Sequence, residues 1–242
     1  MDKMKTNVVK QILFPSLGGV RGGFILLFAL LMVTGCARKA SDYPSVIEII
    51  NKGETRLEVT SLLKFCKENK IDTTALYSWN KHWLLYSHFN DSPKLKAKLE
   101  KEFPTVVVKL YDHPFYIFDR KTYPKKDVAK EWTNVIMAAN LVKDTVMQKQ
   151  YMEYHRTQLE KWPEVAKGFY NANFQQLLVF RNGRQLILII SIPKGESLDD
   201  LNPKTSENNP RVDQWNAIMS KYQEGLEDAP CGSTWILFEH RK

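Results

Sequence analysis

Hydrophobic residues along this chain follow two spacings, a period of two that is typical of strands and a period near 3.6 that is typical of helices. In the first half these patterns predict a strand, a helix, two strands, a helix and a strand, near residues 46–50, 57–69, 73–79, 82–88, 93–103 and 105–110. A further extended segment is predicted at Phe115–Asp119. The order of the six main elements is therefore β-α-β-β-α-β.

The second half repeats this order. A strand, a long helix, two strands, a helix and a strand are predicted near residues 133–142, 146–170, 174–180, 185–192, 212–224 and 234–239. In each half the central strands flank a short polar connection, Asn80-Lys81 in the first and Asn182-Gly183 in the second. Such connections favour β-hairpins because asparagine and glycine tolerate positive φ.

Two copies of β-α-β-β-α-β predict an α+β fold with two tandem ferredoxin-like units. We expect the units at residues 43–121 and 132–242, with a linker at 122–131. Helices cover only one face of each sheet, so the other faces should pack sheet to sheet as an intrachain dimeric α+β barrel with a cavity between them. The polar loop 193–210 is expected to border that cavity.

The N-terminus has the features of an export signal. Basic residues precede the apolar run Phe24–Val33, which is too short to span a bilayer, and Val33-Thr-Gly-Cys36 is similar to a bacterial lipobox. We expect residues 1–35 to be a signal peptide, Cys36 to be lipidated and residues 36–42 to form a tether. The alternative is that Cys36 is an ordinary cysteine. Lipidation implies a membrane partner and a place at the bacterial cell envelope, on the outer membrane or the periplasmic face.

Charge and cysteine usage exclude several classes of function. The net charge of +8 falls to +5 without the signal peptide, and the lysines of residues 94–101 alternate with apolar residues as on a solvated helix face. We therefore expect no nucleic-acid partner. The histidines and the cysteines lack the spacing of metal ligands, so neither metal nor cofactor is predicted. Pairing of Cys66 with Cys231 stays open, as does the oligomeric state.

Tyr151 and His155 are the strongest candidates for chemistry. Residues four apart lie on one face of a helix, so both side chains can reach one substrate. Histidine can act as an acid or a base near neutral pH, and a tyrosine hydroxyl can donate or relay a proton. The alternative for His155 is a surface histidine beside Glu153 or Arg156.

These residues also carry a family resemblance. Tyr151-x-x-x-His155, Trp162-Pro-Glu, the hairpin that follows and Trp215-x-x-x-Met219 resemble the L-rhamnose mutarotase family over residues of about 132–240. The resemblance implies a monosaccharide substrate, with His155 as general acid/base and Tyr151 as its partner. It also implies that Trp215, Gln175 and Trp162 bind the sugar, although the first two also fit structural roles.

The chain departs from the family pattern in three places. The first-half helix, Leu57–Asn69, has no tyrosine or histidine, so we expect one site where a dimer of the family would have two. The gap between His155 and Trp162 is longer by about one helical turn, and Asn216 replaces a second consecutive tryptophan. The expected activity is interconversion of the α and β anomers of L-rhamnose or a similar deoxy sugar. Two alternatives remain: a non-catalytic carbohydrate-binding or scaffolding lipoprotein, and, ranked last, a haem-degrading enzyme or oxygenase of the same architecture. The predicted long helix offers no second histidine as an axial ligand.

Overall fold

The computed structural model describes residues 42–53, 57–123 and 127–241. The predicted signal peptide, the lipidated Cys36 and nearly all of the tether lie outside these ranges. Among the helices inside them, none combines the length and the apolar character that crossing a membrane requires.

The first half forms a four-stranded antiparallel sheet with two helices. Its elements are β1 (Ser45–Asn51), α1 (Val59–Glu68), β2 (Leu76–Trp79), β3 (His82–Ser87), α2 (Ser92–Glu102) and β4 (Val106–Tyr111). The strand order β4-β1-β3-β2 is that of a ferredoxin-like unit. The β2–β3 connection is tight, and Asn80 adopts the positive φ of 49° that the sequence led us to expect.

The second half repeats this sheet after one additional strand. Its elements are β5 (Tyr116–Asp119), β6 (Trp132–Leu141), α3 (Thr145–Arg156), α4 (Gln158–Lys161), α5 (Pro163–Asn171), β7 (Gln176–Asn182), β8 (Gln185–Pro193), α6 (Leu198–Leu201), α7 (Pro210–Met219), β9 (Gln223–Glu224) and β10 (Ile236–His240). The strand order β10-β6-β8-β7 matches that of the first unit. The α+β, ferredoxin-like fold class is therefore confirmed.

The long helix predicted at residues 146–170 is broken into three, so that prediction was wrong. Asp144 caps the start of α3 by accepting hydrogen bonds from the backbone N–H groups of Val146 and Met147. The chain then leaves helical geometry at Thr157 and at Trp162. The second break has a clear cause, because Pro163 disfavours helical backbone at the residue before it. Because of these breaks, the short helix α4 directs towards the sheet side chains that an unbroken helix would direct elsewhere.

In each unit, or directly after it in the chain, one strand pairs with a strand of the other unit. Strand β10 pairs with β2 of the first unit, with Glu239 opposite Ser78. Strand β5, which follows the first unit in the chain, pairs with β7 of the second, with Tyr116 opposite Val179. The β10–β2 pairing joins both sheets into one ten-stranded sheet, and β5 forms its edge beside β7. The two halves therefore form a single body.

The interior between the two sheets is a packed hydrophobic core. Both units contribute buried residues to it, namely Val46, Tyr77, Leu84, Tyr86, Tyr111, Ile136, Ala138, Leu178, Phe180, Ile187, Ile189, Leu226, Ile236 and Phe238. The sheets thus pack face to face as predicted. The predicted position of the cavity was wrong, because these side chains fill the space where we expected it.

The two remaining cysteines are free. Cys66 lies in the core between the first sheet and its helices, as its apolar sequence context predicts, and burial raises the pKa of its thiol to about 11. Cys231 is exposed.

One buried carboxylate links the two sheets. Glu48 on β1 is fully buried and accepts hydrogen bonds from Tyr111 at 2.9 Å and from Gln185 of the second unit at 2.8 Å. The His82 ring lies 2.8 Å away, and Lys109 lies 3.6 Å away. Burial raises the pKa of Glu48, but the hydrogen bonds and the neighbouring positive charge outweigh burial and lower the pKa overall. The carboxylate is therefore ionised in the folded protein.

We expect Glu48→Gln to lower the free energy of unfolding by about 3 kcal/mol, because removing one member of a buried charged network leaves its partners unpaired. Denaturant unfolding monitored by circular dichroism measures this loss. The matched control is Glu100→Gln on the exposed face of α2, which should change stability by less than about 0.5 kcal/mol. Equal effects of the two substitutions would show that the carboxylate does not hold the sheets together.

Candidate active site

A cavity of about 440 Å³ lies between the second sheet and its own helices. Such a volume is typical of sites for small molecules. Its wall is mostly apolar and aromatic, with a few polar side chains, and is formed by Tyr116, Met137, Tyr151, His155, Gln158, Phe169, Phe174, Leu177, Val179, Leu188, Ile190, Leu198, Asn202, Trp215, Asn216, Met219, Ser220, Gln223 and Trp235. The cavity is on the helical side of the sheet because alternate strand residues point to opposite faces. Leu177 and Val179 line the cavity, whereas Leu178 and Phe180 enter the core between the sheets.

His155 and Tyr151 both line this cavity, as their spacing on one helix predicts. Their ring centroids are 4.2 Å apart. The imidazole also makes edge contacts with Tyr116 at 5.3 Å and with Trp215 at 5.2 Å. Phe115 completes the surroundings at 5.7 Å. His155 is therefore half-buried and held among aromatic rings that line the cavity, which argues against the alternative of a surface histidine beside Glu153 or Arg156.

The hydrogen bonding of His155 defines its tautomer. Nδ1 lies 3.0 Å from the backbone oxygen of Tyr151, which can only accept a hydrogen bond, so Nδ1 carries the proton. Nε2 is then left unprotonated. Burial lowers the pKa of His155 from 6.5 to about 4, although the bond to Tyr151 opposes this shift. At neutral pH the side chain is thus an uncharged imidazole with one nitrogen able to take up a proton.

Tyr151 has the opposite character. Burial raises the pKa of its hydroxyl well above the ordinary value, so the group stays protonated. Its oxygen accepts a hydrogen bond of 3.2 Å from the amide nitrogen of Gln223, whose own oxygen accepts one of 3.2 Å from the indole of Trp235. These bonds orient the Gln223 amide and leave the Tyr151 hydroxyl proton available to a ligand. The cavity therefore holds a base and a hydrogen-bond donor side by side.

Of the two predicted sugar-binding tryptophans, only Trp215 lines the cavity. It comes from α7 and is almost completely buried, with one edge against His155. Trp162 lies behind it, with the ring centroids 5.7 Å apart. The Arg211 guanidinium covers the Trp162 ring at 3.8 Å. Trp162 therefore packs against Trp215 outside the cavity lining, and its contact with the substrate stays a prediction.

Gln175 does not line the cavity, and its predicted contact with the sugar stays a prediction. Its amide nitrogen donates to the backbone oxygen of Asn173 at 2.9 Å, and its amide oxygen accepts from the backbone N–H of Ala129 at 2.8 Å. The side chain is fully buried in these bonds. Gln175 therefore connects the linker between the units to the start of β7. The direction of its side chain could not be assigned without the strand register.

Three further side chains of the cavity were not singled out from the sequence. Gln223 was expected inside a helix, but α7 ends at Met219 and residues 223–224 form a short strand beside β6. Gln158 reaches the cavity only because the long helix is broken before it. Tyr116 belongs to the extended segment that was predicted, but its pairing with the second sheet had no local signal. The predicted polar loop contains α6, and Leu198 and Asn202 from this region line the cavity.

Comparisons with known proteins identify relatives of the second half of the chain. Residues 134–240 match the sequence profile named L-rhamnose mutarotase. The L-fucose mutarotase of Xanthomonas campestris pv. campestris is 30% identical over 93 residues, which cover 38% of this chain and 72% of that protein. A UPF0734 protein of Dictyostelium discoideum is 24% identical over 105 residues, 41% of this chain and 78% of its own length.

Two solved structures are similar in outline. The heme-degrading enzyme LmHde of Listeria monocytogenes gives a TM-score of 0.40 at 12% identity, covering 81% of this chain and 99% of that one. A putative monooxygenase of Fusobacterium nucleatum gives a TM-score of 0.43 at 11% identity, covering 82% and 92% of the two chains.

The lowered pKa of His155 predicts a specific loss of stability in acid. The folded-state value of about 4 lies below the ordinary 6.5. Between these values the unfolded chain binds the additional proton, so stability is complete above pH 6.5 and falls as the pH drops towards 4. Relative to His155→Gln, the wild type should lose about 2–3 kcal/mol more between pH 7 and pH 4.5. Denaturant unfolding at the two pH values measures this difference, and parallel losses would contradict a neutral, buried imidazole.

Proposed function

Because this chain belongs to the L-rhamnose mutarotase family, we propose that it interconverts the α and β anomers of L-rhamnose or a similar deoxy sugar. The observation that carries the proposal is the placement of His155 and Tyr151. One side chain can accept a proton and the other can donate one. Both line the same cavity, and their ring centroids are 4.2 Å apart. Opening a cyclic hemiacetal needs one group of each kind.

In the proposed reaction, Nε2 of His155 takes the proton of the anomeric hydroxyl. The bond between the anomeric carbon and the ring oxygen breaks, and the ring oxygen takes the proton of the Tyr151 hydroxyl. The sugar is now an open-chain aldehyde, whose carbonyl group can rotate. Ring closure on the other face of the carbonyl returns the proton of the attacking hydroxyl group to the Tyr151 phenolate. His155 returns its proton to the carbonyl oxygen, which becomes the new anomeric hydroxyl, and the other anomer is formed.

The surroundings suit this exchange. Full transfer creates an imidazolium beside a phenolate, and each charge alone is disfavoured by burial, as the two pKa shifts indicate. The charges form next to each other, so their attraction in a cavity with little water offsets part of that cost. Trp215 offers a flat apolar surface to the C–H face of a sugar ring. No cofactor takes part in any of these steps.

We expect His155→Gln and Tyr151→Phe each to lower the catalysed rate of anomer exchange by about 100-fold or more, because each removes one proton-transfer group. Exchange NMR on L-rhamnose and L-fucose measures this rate above the spontaneous one. The control is His113→Gln, an exposed histidine whose side chain lies outside the cavity lining, which should leave the rate unchanged.

Three results would contradict the proposal in different ways. Unchanged exchange in His155→Gln would remove the histidine from the reaction. Sugar binding by the wild type without accelerated exchange would favour the non-catalytic carbohydrate-binding alternative. Absence of both binding and exchange would favour a scaffolding role. Circular dichroism of each variant checks that the fold is retained.

The rate should also have an unusual pH dependence. Because burial lowers the pKa of His155 to about 4 and raises that of Tyr151, neither group changes its charge between pH 6 and pH 9. The catalysed rate, after subtraction of the rate in buffer alone, should be constant over this range and decline only as the pH falls towards 4. A rate that halves near pH 6.5 would show that the imidazole is solvated during turnover.

The same proposal extends to location. The expected signal peptide and lipidated Cys36 would hold the enzyme at the cell envelope, where it would meet sugars entering the cell.

A further inference from the structure

Gln158 is a polar side chain in an apolar part of the cavity. It is fully buried, and neither its amide nitrogen nor its amide oxygen finds a hydrogen-bond partner among the described residues. Its backbone carbonyl is satisfied, since it accepts from the N–H of Trp162 at 2.8 Å. Gln158 is among the residues that line the cavity, and its amide supplies two unpaired polar atoms there.

Tyr116 presents a third unpaired polar atom at the same place. Its hydroxyl is buried and has no hydrogen-bond partner in the part of the chain that the structure describes. Burial raises the pKa of this hydroxyl well above the ordinary value. The Gln158 amide lies close enough to the hydroxyl to oppose this shift, but the two groups do not meet the geometry of a hydrogen bond. The phenol is thus a neutral donor and acceptor next to an amide.

This arrangement is costly unless a ligand completes it. Buried polar groups in proteins are almost always hydrogen-bonded, and exceptions call for an explanation. An amide presents a donor and an acceptor in one plane, so its natural complement also donates and accepts at neighbouring positions. Two adjacent hydroxyl groups of a sugar ring meet this requirement. Tyr116 lies in edge contact with His155 at 5.3 Å, which places the polar group beside the proposed acid/base pair.

We propose that Gln158, assisted by Tyr116, binds two adjacent hydroxyl groups of the sugar and thereby decides which sugars the site accepts. The inference rests on the proposed function, whose reacting groups are His155 and Tyr151. It assigns substrate selection to a residue of the short helix α4 and to a residue of β5. Tyr116 lies outside the residues 134–240 that match the mutarotase profile.

The test compares Gln158→Met and Tyr116→Phe with the wild type on L-rhamnose, L-fucose and 2-deoxy-L-rhamnose. Methionine keeps the length of glutamine without its amide, and phenylalanine keeps the ring without its hydroxyl. For the preferred sugar we expect KM to rise about 10- to 100-fold in Gln158→Met, with a much smaller change in kcat. The preference among the three sugars should collapse by a similar factor.

The thermal stability of the Gln158→Met variant distinguishes a sugar-binding role of the Gln158 amide from a structural one. If the amide serves only the ligand, its replacement by an apolar group should raise Tm of the sugar-free protein by about 2–4 °C. A structural amide would instead lower Tm when removed. The matched control is Gln214→Met on the exposed face of α7, which should change neither Tm nor the sugar preference.

The outcomes separate this inference from the proposed function. Wild-type exchange with an unchanged sugar preference and KM in Gln158→Met would overturn the inference and leave the mutarotase activity standing. If the wild type accelerates no exchange, saturation-transfer NMR on the same sugars decides. Selective binding that is lost in Gln158→Met supports the role of Gln158 without catalysis, whereas equal binding by both proteins, or by neither, overturns it.

Discussion

Each ferredoxin-like sheet in this chain has one face that its own helices leave uncovered, and the burial of these two faces against each other is the constraint on which the structure depends. A sheet with one apolar face exposed to water would be unstable, so neither half is complete alone. The strand pairings β10–β2 and β5–β7 accompany this packing. The second pairing carries Tyr116 from the end of the first half into the site of the second.

The same constraint determines where a ligand can bind. The space between the sheets is occupied by large side chains such as Phe180 and Phe238, and the buried Glu48 network joins the sheets within it. The cavity lies on the other face of the second sheet, beneath its helices. The first unit fills the corresponding face with Leu62 and Phe65 from α1. The second unit spreads its helical layer over α3, α4 and α5, and the cavity lies beneath them.

More of the fold than of the candidate site could be predicted from the sequence. Period-two strands and the two asparagine-led turns are local signals, so the order of elements and the fold class could be predicted. The pairing of Tyr151 with His155 was also predictable because it depends on helical spacing alone. The roles of Gln175 and Trp162 depend on strand register and on helix breaks, which are set by distant contacts. Gln158 could not be identified, because its direction follows from the break at Thr157.

Burial shifts the pKa values of the two proposed reacting groups in opposite directions. Desolvation disfavours charge, so it lowers the pKa of an imidazole and raises that of a phenol. One apolar surrounding therefore keeps His155 able to accept a proton and Tyr151 able to donate one. No charged neighbour is needed to produce this difference, and burial is the first cause of both shifts. The aromatic wall of the cavity thus serves two purposes, since it packs against an apolar sugar face and maintains both protonation states.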